Sequence, residues 1–468
     1  MFRVGIAVLP LLFCVRVHAQ VEVEDEDKAT AQVVPAQATA LSQQDWNLHF
    51  QSTVVSQKHG SFPAKYSGNG PVNPYFGPGN SLSNGDDTQT SVTLTVFAGL
   101  KLWKNGELYA NPELSGGSGF NGTTGIAGFP NAEIYRVDDP APKWNLARLF
   151  YKQILMTGSR DTEEIKDDKN QLAARVPIDR LTIVVGKFSL NDYFDDNAYS
   201  HDPRTQFLNW ALMDQGAWDY AADTRGYSWG FYLEYNRASW ALRFASVLVP
   251  LYANQMAMDT EYPAASGTNL EYEYRWLPKG AVRAVAWSNR ANMGNYRTAI
   301  TTQTSGPIDG QTLGVLDVTQ TRSMSRKYGA GLSFDQELAS DLGVFSRLSW
   351  DDGKTETWAF TEIDQSLSVG LSLRGLRWQR PDDNVGLAYV INGLSQDHRD
   401  YLAGGGYGFI VGDGTLNYAP EQITELYYRY KFEVGLELTC DLQYVQNPAY
   451  NSDRGPVSIV AARLHYEM

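Results

Sequence analysis

The sequence predicts an all-β fold, a transmembrane antiparallel β-barrel of about sixteen strands with long extracellular loops. Three observations predict it. First, "SVTLTVFAGLKLW" alternates without a break, setting Val92, Leu94, Val96, Ala98, Leu100 and Leu102 against Ser91, Thr93, Thr95, Gly99 and Lys101. Two residues per repeat is a strand with one oily face. Its length is roughly twice that of a soluble strand and about what a tilted strand needs to cross a bilayer. Second, the links between such segments alternate short and long. Third, the mean hydropathy is −0.35, and past the N-terminus there is no run of about 18 apolar residues to form a membrane helix.

Taken in order, residues 1–19 read as a secretory signal: Arg3, an apolar stretch from Val4 to Val15, and a Val17-His18-Ala19 site before Gln20. Removing it takes Cys14 away and leaves Cys440 as a single thiol, so no intrachain disulfide is expected. Residues 20–44 are polar, acidic and without a periodic apolar face, which reads as a disordered arm. Residues 45–468 form the barrel domain.

Within that domain the two-residue period recurs. "GYSWGFYLEYN" sets Tyr227, Trp229, Phe231, Leu233 and Tyr235 against Ser228, Gly230, Glu234 and Asn236. "VGLELTCDLQY" opposes Val434, Leu436, Leu438, Cys440, Leu442 and Tyr444 to Gly435, Glu437, Thr439, Asp441 and Gln443, and "SLSVGLSLRG" opposes Leu367, Val369, Leu371 and Leu373 to Ser368, Gly370, Ser372 and Arg374. Strands are expected to start near residues 46, 91, 106, 145, 180, 226, 239, 269, 281, 327, 342, 366, 384, 423, 434 and 456. The links at Asn105-Gly106, "NRAS", "LPKG", "ELASD" and Glu433 are tight, and most others are long. Outer-membrane barrels have this asymmetry, with short periplasmic turns and long outer loops. Gly158 to Asp179 departs from it, a long charged segment where a short turn belongs, and reads as a periplasmic insertion. Lipid offers no hydrogen bonds, so a spanning sheet must close on itself, and about sixteen strands enclose a water-filled channel.

The net charge of −14 and pI near 5.0 exclude nucleic acid as a partner, because phosphate binding needs a basic footprint. The six histidines show no HExxH spacing, and Gly116 to Phe120 is not a nucleophile elbow. The acidic pairs Asp195-Asp196 and Asp351-Asp352 lack calcium-loop spacing. No catalytic residue, cofactor or metal is expected. The competing class is a secreted β-rich glycan-binding or glycan-hydrolysing protein, which would extract as a soluble protein where a barrel needs detergent.

From Trp46 to Met468 the chain resembles the carbohydrate-selective porins of the OprB family. The resemblance is carried by "FAGLKLWKNGELYANPELSGGSG", "GIAGFPNAE", "VGKFSLNDYFDDNAYSHDPRTQFLNWAL", "GAWDYAADTRGYSWG", "WAFTEIDQSLSVG", "RPDDNVGLAYVINGLS", "GDGTLNYAPEQITELYY" and "NPAYNSDRGPV". It implies a sixteen-stranded barrel in a Gram-negative outer membrane that passes glucose and other small sugars or polyols by diffusion. Lipid, the barrel-assembly machinery and sugars are then the partners, and the sequence leaves a homotrimer open. The terminal "ARLHYEM" departs from the aromatic ending usual in assembly signals.

In general porins the third outer loop folds into the channel, and here that loop is Leu190 to Arg225, the expected constriction loop. It carries the Asp202-Pro203-Arg204 turn and many rings, of which Trp210 and Trp218 are candidates to face sugars. Most of the other rings are expected to pack the loop against the wall. The expected polar lining is Glu107, Asn111 and Glu113 on one strand, Arg148 and Lys152 on the next, and Arg243, Arg374 and Glu425 further round. Mixed charge suits neutral polyols, whereas an anion pore needs a basic ring.

Overall fold

In the computed structural model, the described residues are 43–67, 80–134, 140–277, 279–302, 307–308, 312–313, 316–433 and 435–468. The expected leader, Cys14, Val434 and all but the last two residues of the expected arm lie outside them. Sixteen strands form one closed antiparallel barrel in sequential order. They are β1 (Trp46–His59), β2 (Asp87–Trp103), β3 (Gly106–Gly117), β4 (Lys143–Met156), β5 (Arg180–Phe188), β6 (Ser228–Asn236), β7 (Trp240–Val247) and β8 (Ser266–Trp276), followed by β9 (Gly280–Met293), β10 (Ser323–Ala339), β11 (Leu342–Asp351), β12 (Gln365–Gly375), β13 (Arg380–Gly393), β14 (Glu421–Lys431), β15 (Leu436–Gln446) and β16 (Val457–Glu467). The predicted starts differ by at most four residues, at 87, 323 and 380 against 91, 327 and 384.

Closure is made by β1 on β16, with Thr53 opposite His465 and Ser56 opposite Ala462, so every strand has two partners and no edge is left open. The final residue joins this seam: the Phe50 N–H donates to the Met468 carbonyl (2.9 Å) and the Met468 N–H to that of Phe50 (3.1 Å).

The alternation sorts by face as the sequence implied. On β2, Ser91, Thr93 and Thr95 are buried toward the inside, while Leu100 and Leu102 stand exposed outside. Trp46, Trp103 and Tyr274 ring the outside near the short-turn end, and Trp144, Trp229 and Trp350 near the long-loop end. Their amphipathic rings suit the two membrane–water interfaces. Tyr227 corrects the facing assigned to its stretch: it precedes β6, turns inward, and donates its hydroxyl to Glu113 (3.2 Å).

The links at one end are tight, except the one between β4 and β5. Asn105 takes a left-handed conformation (φ 58°) that a short polar side chain tolerates, and reverses β2 into β3. Pro112 sits at an irregularity in the β3–β4 register, where its missing N–H costs the ladder least. At the other end the links are long and fold back over and into the barrel. The interior is therefore not a simple water-filled channel. Phe194, Phe207, Trp218, Phe345, Trp358 and Tyr427 join one large buried apolar cluster between the loops and the wall. Small wall residues make room for it: a Cβ on Gly386 would fall 2.2 Å from the Tyr427 ring and 2.9 Å from that of Phe207.

Candidate functional site

The link between β5 and β6 enters the lumen and is bonded to opposite walls. It begins at Ser189, whose N–H donates to Asp192 (2.9 Å), and the Asp192 carboxylate takes a two-pronged bond from Arg148 on β4 (2.8 Å to Nε, 2.5 Å to the second nitrogen). Such a fork fixes orientation as well as position. Across the barrel, Nε of Arg347 on β11 donates to Asp195 (2.7 Å), and the Asp195 N–H donates to Glu271 on β8 (2.7 Å). Glu425 on β14 accepts the N–H groups of Leu208 (2.5 Å) and Asn209 (3.0 Å), and Arg463 on β16 donates to the carbonyls of Pro203 (2.6 Å) and Gln206 (2.9 Å). The Trp218 indole N–H donates to Asn269 (2.9 Å).

A second link, between β3 and β4, also turns inward. Glu421 on β14 holds it by accepting the N–H groups of Ala127 (2.9 Å) and Gly128 (2.8 Å), and Gln443 on β15 donates to the Pro130 carbonyl (2.8 Å). It carries Phe129 against Trp210 as a stacked pair (4.9 Å between centroids, 16°) and brings Glu133 to Arg204. The Arg204 guanidinium donates to Glu133 (Nε, 2.7 Å) and to Gln51 on β1 (2.5 Å), and lies 3.6 Å from Glu113 on β3. Asp202 shapes the turn beneath it, accepting from the Arg204 N–H (2.9 Å) and the Thr205 hydroxyl (2.9 Å).

Between these two inward links and the β1–β4 wall lies a cavity of about 530 Å³. That falls within the range small-molecule clefts occupy, roughly 300–1,000 Å³. Four carboxylates (Glu113, Glu133, Asp192, Asp202) and five cations (Arg148, Lys152, Lys169, Arg204, Arg225) line it, with Trp210 among the apolar residues.

The structure thus brings Asp202, Arg204, Trp210, Glu113 and Arg148 to one place. Glu107 sits outside the lining, holding Lys152 (3.2 Å) and the Tyr109 hydroxyl (2.7 Å). Trp218 is 1% exposed inside the apolar cluster. Arg243 is bound into a network with Glu234 (2.9 Å) and Glu271 (2.7 Å) on the wall. Glu425 serves the loop backbone, and Arg374 lies exposed beside a separate cleft near the short turns. Glu133 and Gln51 also line the cavity beyond the expected set, Glu133 as the last residue of "GIAGFPNAE". Among the described residues no group of acidic, His and Cys side chains is arranged to hold a metal ion.

Comparison with known proteins agrees with this architecture. The structure is similar to the high-pH structure of Pseudomonas putida OprB, with a TM-score of 0.63 at 14% identity over 91% of this chain and 94% of that one. It is also similar to the outer membrane channel DcaP of Acinetobacter baumannii, with a TM-score of 0.48 at 9% identity over 91% and 97% of the two chains. No curated protein sequence matches. Residues 79–468 match the family model described as carbohydrate-selective porin, OprB family, and with that match spanning most of a closed sixteen-strand barrel, the chain belongs to the OprB family of carbohydrate-selective porins of the outer membrane.

Proposed function

We propose that neutral monosaccharides and small polyols cross this porin through the cavity framed by Arg204, Glu133, Arg148, Asp192 and Trp210. The observation that carries the reading is the near balance of its lining, four carboxylates beside five cations, most of them joined in close pairs. Paired charges present donors and acceptors to hydroxyls while cancelling much of the net field, so a neutral solute is stabilised and neither ion sign is strongly favoured.

Further hydrogen-bonding capacity surrounds the same space. The Trp210 indole N–H, Glu133 Oε2 and Asn191 Oδ1 are buried without a partner among the described residues. The Trp210 ring itself is packed between Phe129 and Tyr220, so it shapes the apolar side of this space and its indole N–H is the group left for a solute. By the rule for outer-membrane barrels, the tight turns face the periplasm and the long links face outward.

Deleting Thr205 to Gln215 tests the path. The folded variant is expected to show higher single-channel conductance in planar bilayers and to admit a disaccharide in liposome swelling. Unchanged conductance and size cutoff would place the path elsewhere.

A further inference from the structure

The segment from Gly158 to Asp179 reaches the same cavity from the opposite end of the barrel. It links β4 to β5 and so starts among the tight turns, where the Thr157 N–H donates to the Asp179 carbonyl (3.0 Å). Thr162–Ile165 pairs with Ala174–Pro177 as a two-stranded hairpin outside the barrel sheet. Ala174 and Val176 pack on Ile154 of β4, and a further turn closes at Lys169-Asn170, with Asp168 and Gln171 exchanging both backbone hydrogen bonds (3.0 and 3.1 Å). Asn170 takes φ 56°, which suits an Asn at a tight reversal.

The partners of that tip lie on the inner face of the wall. Asn47 on β1 donates to Asp167 (2.7 Å) and to the carbonyls of Gln171 (3.0 Å) and Asp168 (3.1 Å). Asn111 on β3 donates to Asn170 (2.9 Å), and the Leu172 N–H donates to the Tyr109 hydroxyl (3.0 Å). Asn47, Tyr109 and Asn111 belong to the buried inward series. Asn111 is five positions along β3 from Gly106, on the order of 15 Å at the rise of a strand. The tip is therefore inside the lumen rather than beneath it, while Thr162 to Glu164 stay exposed.

Its height meets the constriction from below. Arg204 is bonded to Gln51 and lies beside Glu113, the next inward positions but one beyond Asn47 and the next beyond Asn111. A continuous chain of polar contacts joins the two tips: Arg204 donates to Gln51 (2.5 Å), Gln51 donates to Glu467 on β16 (3.2 Å), and Lys169 donates to the same carboxylate (2.7 Å). Lys169, Asn170 and Gln171 line the cavity that Arg204 and Trp210 line.

We infer that the Lys169-Asn170 tip is the second wall of the constriction, so that a sugar must pass between an inward outer loop and an inward periplasmic hairpin. This rests on the path proposed above. The hairpin then sets the size limit together with the outer loop, with Lys169 and Asn170 as specificity-determining residues and Gln51 as the positioning residue that ties the two tips.

Two measurements on the full chain test it. Replacing Thr162 to Pro177 by a short glycine-containing turn should raise single-channel conductance and relax the size cutoff. If the Thr205 to Gln215 deletion opens the pore and the hairpin replacement does not, this inference fails while the proposed path stands. The second measurement does not require removing the hairpin. In a Cys440→Ser background, Lys169→Cys should react with a water-soluble methanethiosulfonate, conductance should fall on labelling, and glucose should slow the reaction. Labelling without a fall in conductance, or no labelling through the pore, would overturn the inference.

Discussion

Replacing Arg204 by alanine should shift the selectivity of the constriction toward cations. The cavity lining holds five cations and four carboxylates, and Arg204 is the one that sits on Glu133 (2.7 Å) and beside Glu113 (3.6 Å). Removing it brings the count to four against four and leaves those two acids without their nearest counter-charge. A unit charge at about 4 Å contributes about 1 kcal/mol even at the dielectric of water, and with RT near 0.59 kcal/mol that is about a fivefold change in the ratio of cation to anion permeability. The assay is the reversal potential across a planar bilayer under a potassium chloride gradient. The shift should be largest at low salt and shrink toward 1 M, where the screening length falls to about 3 Å. Loss of the guanidinium also removes donors that a sugar hydroxyl would use, so glucose should alter the ion current less than in the unmodified channel. An unchanged reversal potential at low salt, in a variant that still shifts on heating in a denaturing gel, would refute the placement of Arg204 in the conducting path.

The facing of β2 predicts that Val96→Arg, on the lipid side, costs about 2–4 kcal/mol near the midplane, whereas Thr93→Arg, on the cavity wall, costs less; equal folding yields in urea titrations would contradict it. Among the long links, His398 is buried against Asp364 (3.1 Å) and Glu362 (3.7 Å) and stacks on Tyr296. Burial disfavours its charge, but Asp364 and Glu362 outweigh that and push it up to about 9 from its ordinary 6.5. Raised pKa means that the stabilisation is complete below about pH 6.5 and is lost as pH climbs through about 9, a total on the order of 3 kcal/mol. The Phe409 and Val411 N–H groups that donate to Glu362 (2.8 and 2.7 Å) should therefore lose protection from hydrogen exchange near pH 10, beyond the intrinsic rise in rate. His398→Gln should abolish that difference, and equal protection factors for the unmodified protein at pH 7 and 10 would count against it.

The barrel was legible because its physics is periodic. A wall with lipid on one side and a wet lumen on the other writes a two-residue alternation into every strand, and parity of link length gives the two ends. Tyr227 escaped the pattern because it lies one residue before β6, where the chain still belongs to the loop and its ring follows Glu113 rather than the pleat. Of the site, the loop by its order and the Arg204 turn by its chemistry were readable. What was not readable is which inward charges remain at open space after the loops have filled the rest. Arg243 and Glu425 face inward as expected, but the first is bound to its neighbours on the wall and the second holds loop backbone. Glu133 and Lys169 reach the cavity on segments with no strand period, so their positions depend on tertiary contacts with Arg204 and Glu467. The segment Gly158 to Asp179 broke the parity of link lengths, and that break was the visible trace of a hairpin folded inside.

The central claim, selective passage of small neutral sugars through one shared constriction, is tested most directly by liposome swelling with purified protein across a matched solute series. Glucose should enter faster than a neutral disaccharide, and faster than an anionic or a cationic monosaccharide derivative of similar size. Entry rates that follow size alone regardless of charge, or that favour one charge sign over glucose, would contradict it.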